Sequence, residues 1–314
     1  MKKFLLFACL LSSGMALAQY PARLVKVVIP FPPGGPTDVI GRLLAQKLTE
    51  QTGQNFLIEN RAGGNATIGS NEVAKSAADG YTLLFNASIF TITPHLSQNV
   101  PYDVQKDFST VALVAKGPLA VAIGSAVPAK DVKELVAHAK ANPGKLAFAI
   151  GSVGSAGHLG TELLKRSAGM DLLVVPYKGS TPAYQDLLGG QIQGFLDPVL
   201  GAQPHWKGGK IKVVAVTSLK RLPSAPDTPT VAETIPGFEF YTWYGLWGPA
   251  NLPRDVLGRL NSEVNRALGS DLRERLLAQG YELSPGSPED FARFQREDIA
   301  RSGQIIREAG IKSQ

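Results

Sequence analysis

The stretch AIGSVGSAGHLG, residues 149–160, joins a short apolar run to an amphipathic segment. The residues KLAFAI are typical of a buried strand, and LGTELLKRSAG is typical of a helix that ends at Gly169. The small residues between them leave many backbone N–H groups uncovered, next to the N-terminus of the helix. This order predicts one unit of a parallel α/β sheet, with a turn that can hold an anion.

Strand signals alternate with helix signals along most of the chain. LVKVVIPF (24–31), NFLIEN (55–60) and YTLLFNAS (81–88) are predicted strands, and the same alternation returns in the second half of the sequence. Two such blocks predict two doubly wound α/β domains. VALVAKGPLAVAIGS (111–125) and YTWYGLWGP (241–249) are apolar and lack a clear neighbouring helix, so they are predicted to cross between the domains.

The N-terminus predicts export. Two lysines precede an apolar core, and Ala16-Leu17-Ala18 is a cleavage signal, so residues 1–18 are interpreted as a signal peptide. An uncleaved membrane anchor is the alternative, but the apolar run stops before Tyr20. The only cysteine, Cys9, lies in this segment. The mature chain therefore has no disulfide, which favours a bacterial periplasm.

The two blocks also predict the domain boundaries. Domain 1 is expected to comprise residues 19–122 and 242–314, and domain 2 residues 123–241, with the ligand cleft between them. Without the two lysines of the signal peptide, the formal net charge falls from +6 to +4. The charges are dispersed rather than gathered in a basic block, so no nucleic acid is expected as a partner. A weak positive field favours anionic ligands.

A second loop of the same kind lies in the first block. PFPPGGPTD (30–38) leaves a strand, passes two glycines and enters a helix at Thr37 and Asp38. Ligands of open α/β sheets bind beyond the carboxyl ends of strands, so two such loops on opposing domains predict a clamp for a carboxylate. Packing alone is the alternative reason for glycine-rich turns. Asp38 either stabilises the helix N-terminus or accepts a hydrogen bond from a ligand amine or hydroxyl.

The usual signatures of an enzyme are absent. The sequence has no G-x-S-x-G elbow, P-loop or H-E-x-x-H motif, and neither a metal nor a cofactor is expected. The alternative function is an exported α/β hydrolase of carboxylate esters or amides, with Ser152 or Ser155, His158 and Asp197 as a triad. Ser155 and His158 lie too close together in one loop for the usual arrangement, so an enzyme is not expected.

Several motifs in a fixed order point to a known family. They are VVIPFPPGGPTD, FAIGSVGSAGHLGTELLK, VPYKGSTPAYQDLLGGQIQGFLD and LKRLPSAPDTPTVAE. From about Tyr20 to the C-terminus, the chain resembles the extracytoplasmic solute receptors of tripartite tricarboxylate transporters, also called Bug receptors. The resemblance implies a periplasmic binding protein with two doubly wound α/β domains, which are joined by two crossover strands and close about a hinge. A monomer is expected.

The resemblance also implies a ligand and partners. Such receptors bind small carboxylates, namely di- and tricarboxylates, acidic amino acids or aromatic acids such as nicotinate. They deliver the ligand to a large and a small membrane subunit, and a role as the input of a periplasmic sensor is the alternative. In the family, backbone amides, hydroxyls and waters hold the carboxylate, rather than arginine or lysine.

The resemblance places a set of ligand-binding residues on this sequence. The first loop and the next strand end supply Phe31, Gly35, Thr37, Asp38, Ala87, Ser88 and Phe90. The opposing side supplies Gly151, Ser152, Gly154, Ser155, His158, Tyr177 and Asp197. Alternatively, His158 supports its loop and Tyr177 packs near the hinge, while Asp197 either orients water or reads a ligand amine. The tract RAGGNATIGS departs from the family pattern, so no residue of 62–69 is included.

Overall fold

The computed structural model describes residues 20–97 and 99–311, and the predicted signal peptide lies outside the described residues. The strands are β1 (Val25–Ile29), β2 (Phe56–Asn60), β3 (Thr82–Ala87), β4 (Phe108–Gly124), β5 (Leu146–Ile150), β6 (Leu172–Pro176), β7 (Gly194–Pro198), β8 (Ile211–Val216), β9 (Tyr241–Pro249) and β10 (Glu282–Leu283). The helices are α1 (Pro36–Thr52), α2 (Thr67–Ala74), α3 (Ile89–Leu96), α4 (Val132–Ala141), α5 (Ala156–Ala168), α6 (Ser180–Leu188), α7 (Val199–Lys207), α8 (Arg254–Leu268), α9 (Asp271–Leu277) and α10 (Pro288–Ala309). The predicted alternation is confirmed, and α3 and α7 are helices that the sequence did not indicate.

The strands form one path in the order β2-β1-β3-β9-β4-β7-β5-β6, and β8 and β10 also pair with β4. β1 pairs in parallel with β2 and β3, and β5 pairs in parallel with β6 and β7. β9 runs antiparallel between β3 and β4. We call residues 20–118 with 241–311 the first half of the molecule, and residues 119–240 the second half.

The long strand β4 joins the two halves. Its segment from Phe108 to Pro118 pairs with β9, whereas the segment from Leu119 to Ile123 pairs with β7. The crossing predicted at 111–125 is therefore confirmed. Because one strand belongs to both halves, the carboxyl ends of the parallel strands of each half face the same gap between the halves.

The chain returns to the first half immediately before β9. The Phe240 N–H donates to the Thr217 carbonyl over 3.1 Å, and the Thr217 N–H donates to the Leu119 carbonyl over 2.9 Å. The second crossing lies at the start of the stretch 241–249 rather than along it, because β9 pairs with β3 and β4 within the first half. The predicted domain boundaries at 122/123 and 241/242 stay a prediction.

Each half buries its own apolar core. Helices α1 and α8 pack on the sheet of the first half, and Phe148 is fully buried in the core of the second. Side chains from α3, α5 and α10 form a further apolar cluster between the halves, namely Ile92, Leu96, Leu159 and Ile306. The two halves are thus in direct contact beside the gap.

The packing of β7 on β5 yields a stability prediction. A Cβ atom at Gly194 would lie 2.3 Å from the ring of Phe148, which is its partner across the strands. Gly194→Ala should lower the free energy of unfolding by about 1–3 kcal/mol, because the buried ring must shift. Gly258→Ala is the matched control, because nothing lies within 4 Å of its Cβ position on α8.

Urea unfolding of the two variants tests this prediction. The control should be neutral or more stable, by up to about 1 kcal/mol, because alanine favours a helix over glycine. Equal stability of Gly194→Ala and the wild type would contradict the packing described for β7.

Candidate ligand-binding site

Within residues 20–97 and 99–311, five helices begin around one cavity between the halves. α1 and α3 begin there in the first half, and α5, α6 and α7 begin there in the second. Residues in or just before their first turns line the cavity: Gly35, Pro36, Thr37, Ser88, Ile89, Ser155, Ala156, Gly157, Gly179, Ser180, Thr181 and Pro198. Helix N-termini carry partial positive charge and unpaired N–H groups, so their convergence favours an anion.

The cavity wall offers hydroxyls and backbone, but no positively charged side chain. Its hydroxyl groups belong to Thr37, Ser88, Ser152, Ser155, Ser180, Thr181, Thr242 and Tyr244. No Lys, Arg or His within the described part of the chain lines it, and its single charged side chain is Asp197. An anion in this cavity would therefore be held by peptide dipoles and by backbone and hydroxyl donors.

Most of the predicted ligand-binding residues line this cavity. They are Phe31, Gly35, Thr37, Ala87, Ser88, Gly151, Ser152, Ser155 and Asp197. Sequence reasoning missed Ser180, Thr181, Thr242 and Tyr244, which also line it. Ser180 and Thr181 follow a strand and open a helix in VPYKGST, so the rule applied to the first two loops also fits this one.

Asp38 does not line the cavity, which corrects its prediction as a ligand contact. Its carboxyl accepts hydrogen bonds from the Gly34 N–H (3.0 Å), Arg42 Nε (2.9 Å) and Asn60 Nδ2 (2.8 Å). Burial opposes ionisation of Asp38, but these hydrogen bonds outweigh it and lower its pKa. The ionised carboxyl thus stabilises the loop before α1 from the side that faces away from the cavity.

His158 and Gly154 shape the opposing loop instead of lining the cavity. The Gly154 N–H donates to His158 Nδ1 over 3.0 Å, and Ser155 Oγ accepts from the His158 N–H over 3.2 Å. Gly154 has a φ of 80°, a conformation that favours glycine. Burial lowers the pKa of His158, which keeps its Nδ1 available as an acceptor. The support role considered for His158 is the one that the contacts favour.

The structure also places two predicted aromatic contacts outside the cavity wall. Phe90 is 1% exposed and packs against Tyr102, Phe108 and Trp247, so the prediction that it faces the cleft is wrong. The Tyr177 hydroxyl donates to Asp186 on α6 over 2.6 Å. Tyr177 lines an adjoining groove that shares Phe31 and Ser152 with the cavity, so its contact with a ligand stays a prediction. Of the three predicted rings, Phe31 lines the cavity.

The hydrolase triad is not assembled. The Ser155 hydroxyl contacts the backbone of His158 rather than its ring, and the ring accepts from the Gly154 backbone. Asp197 accepts a hydrogen bond from Ser180 over 2.8 Å. No group of three or more His, Cys, Asp or Glu side chains among the described residues is placed to hold a metal ion.

Loops of the two halves touch across the mouth of the cavity. Asn65 Nδ2 donates to the Val153 carbonyl over 2.6 Å, and Thr181 Oγ1 lies 3.4 Å from the Pro33 carbonyl. Asn65 and Ala66 both have left-handed φ values, 54° and 70°. Asn65 belongs to the tract that was left out of the predicted site, because that tract departs from the family pattern.

The fold and the cavity define a solute-binding protein, an α/β molecule with a cavity between its two halves. Residues 40–311 match the family described as "Tripartite tricarboxylate transporter family receptor". The chain belongs to this family, whose members are solute receptors rather than enzymes. No described helix is long and apolar enough to span a membrane.

The relatives agree with this assignment. Protein BugT from Bordetella pertussis is 36% identical over 306 residues, which cover 96% of this chain and 94% of BugT. The structure of R. palustris Rpa4515 with adipate has a TM-score of 0.91 and 36% identity, and covers 94% of this chain and 100% of that one. MatC from Rhodopseudomonas palustris with bound malate has a TM-score of 0.85 and 33% identity, and covers 91% of this chain and 100% of MatC. The predicted fold class and family are confirmed.

The contacts of Asp38 lead to a pH-dependent prediction. Asp38→Asn should lower the free energy of unfolding by about 1–2 kcal/mol at neutral pH, because charge-assisted hydrogen bonds are lost. A carboxyl whose pKa is lowered on folding stabilises the protein above its unfolded pKa, and this contribution disappears as the pH falls through the folded value. The difference should therefore be full at pH 7 and shrink below about pH 4.

Urea unfolding at both pH values measures this difference. Asp227→Asn is the matched control, because Asp227 is exposed, and its effect should stay within about 0.5 kcal/mol. An Asp38→Asn effect that grows on acidification would contradict the description of the loop.

Proposed function

We propose that this chain is a periplasmic receptor that captures a small carboxylate between its two halves and delivers it to the large and small membrane subunits of a tripartite transporter. The observation that carries the proposal is the convergence of five helix N-termini on a cavity that no Lys, Arg or His of the described residues lines. Two relatives hold adipate and malate, which makes an aliphatic dicarboxylate the favoured ligand here.

The arrangement of the helices supports capture by closure. α1 and α3 belong to the first half, and α5, α6 and α7 belong to the second. One carboxylate of a dicarboxylate would bind donors on the first half, and the other would bind donors on the second half. Both carboxylates can form their hydrogen bonds only when the halves are close together. Ligand binding then favours the closed state through this difference in affinity. The predicted signal peptide supports the periplasmic location.

A thermal-shift screen of residues 19–314 tests the proposal. Aliphatic dicarboxylates, acidic amino acids and aromatic acids would be compared after any co-purified ligand has been removed by unfolding and refolding. A ligand at 100 times its dissociation constant stabilises the protein by about 2.7 kcal/mol. A rise in melting temperature confined to one class identifies that class. No rise with any carboxylate would contradict the proposed function.

Gly35→Leu tests the location of the site. Gly35 has an extended backbone conformation, lines the cavity and has nothing within 4 Å of its Cβ position. A leucine side chain is therefore tolerated by the fold but occupies space needed by the ligand. Calorimetry should show affinity reduced at least about tenfold, or 1.4 kcal/mol. Gly258→Leu on α8 is the control, and equal affinity of Gly35→Leu and the wild type would contradict the assigned cavity.

Asn65→Ala tests the contact across the cavity mouth. Loss of the hydrogen bond to Val153 should shift the ligand-free protein toward an open form and speed ligand dissociation by about five- to tenfold, as expected for about 1–1.4 kcal/mol. Small-angle X-ray scattering and stopped-flow kinetics measure these effects. Asn251→Ala is the matched control, because Asn251 is exposed and has a similar left-handed φ of 61°. Identical dissociation rates in the two variants would contradict a role in closure.

A further inference from the structure

A buried carboxyl lies in the wall of the anion cavity. Asp197 is 4% exposed at the end of β7, and its Oδ1 accepts a hydrogen bond from Ser180 Oγ over 2.8 Å. Its Oδ2 has no hydrogen-bond partner, and Asp197 takes part in no ion pair within the described part of the chain. A site built to attract an anion thus already contains a group that can carry a negative charge.

The groups that face Asp197 do not compensate that charge. They are the hydroxyls of Tyr184 on α6, Tyr244 on β9 and Tyr281 just before β10, all three buried and without a hydrogen-bond partner among residues 20–97 and 99–311. The histidines of the helices that begin at the cavity are His205 of α7, whose ring lies tilted against Tyr184, and His158 of α5, which accepts a hydrogen bond from Gly154. None of these supplies a cation in contact with the carboxyl.

An anionic ligand makes ionisation of Asp197 still less favourable. Burial raises the pKa of Asp197 to about 7, and the hydrogen bond from Ser180 opposes that rise. Two carboxylates that share one buried site repel each other, which raises the pKa of one of them further. A ligand ammonium group would relieve the repulsion, but the five helix N-termini oppose a cation at this place.

We propose that Asp197 takes up one proton from solvent when an anionic ligand enters the cavity, so that the receptor binds a dicarboxylate together with a proton. This inference rests on the proposed function and identifies Asp197 as the residue that couples ligand affinity to pH. Protonation removes the repulsion, and by linkage it tightens binding of the anion. Above about pH 7, affinity should fall by up to tenfold per pH unit.

Calorimetry with adipate and malate tests the coupling. Titrations at about pH 8 in two buffers with different ionisation enthalpies give the number of protons taken up per ligand. The wild type should take up close to one proton, and Asp197→Asn should take up none and bind with an affinity independent of pH. His205→Gln is the control for the neighbouring histidine and should keep the uptake of the wild type. Asp197→Ser replaces the Asn variant if that variant does not fold.

The outcomes separate the two proposals. Binding without proton uptake in the wild type would overturn the inference and leave the proposed function intact. Uptake that persists in Asp197→Asn, or disappears in His205→Gln, would also overturn it, because another group would then carry the proton. Absence of binding by every carboxylate tested would overturn the proposed function and this inference with it.

Discussion

The hydrogen-bonded pairing of β4 with strands on both sides is the constraint on which the rest of the structure depends. β9 pairs with it up to Pro118, and β7 pairs with it from Leu119 onward. Because a single strand serves both halves, the ends of the parallel strands β1 and β3 are directed toward those of β5 and β7. The loops that leave these ends must meet, and the helices that they start all point their N-termini into the same gap.

This geometry explains the unusual chemistry of the cavity wall. Five helix N-termini provide fixed donors and partial positive charge, so no arginine or lysine is required. The loops must be made of small residues, because the ligand has to approach the backbone itself. Charged side chains lie outside the wall and stabilise its loops, as Asp38 does for the loop before α1. Asp197 is the exception, and its burial among tyrosine hydroxyls gives it a different role.

The sequence predicted the elements that carry a regular pattern and missed those that break one. The strand, small-residue turn and helix of 149–160 and of 30–38 are recognisable without a structure. α3 and α7 each contain a proline, Pro94 or Pro204, and therefore read as interrupted segments. Phe90 was misassigned because the chain enters α3 directly after Ser88, and the helical rotation turns its ring into the core. Tyr244 was missed because β9 is buried nearly throughout, which leaves no polar alternation to reveal the face toward the cavity.

The distribution of the helices between the halves has a consequence for unloading. A cationic side chain would keep its charge beside the ligand whatever the position of the opposite half. Here the attractive field is a sum of contributions from α1 and α3 on one side and from α5, α6 and α7 on the other. Separation of the halves would move one set of helix N-termini away from the ligand. The field at the ligand would then weaken without the movement of any single side chain. Separation of the halves would then be enough to release the ligand.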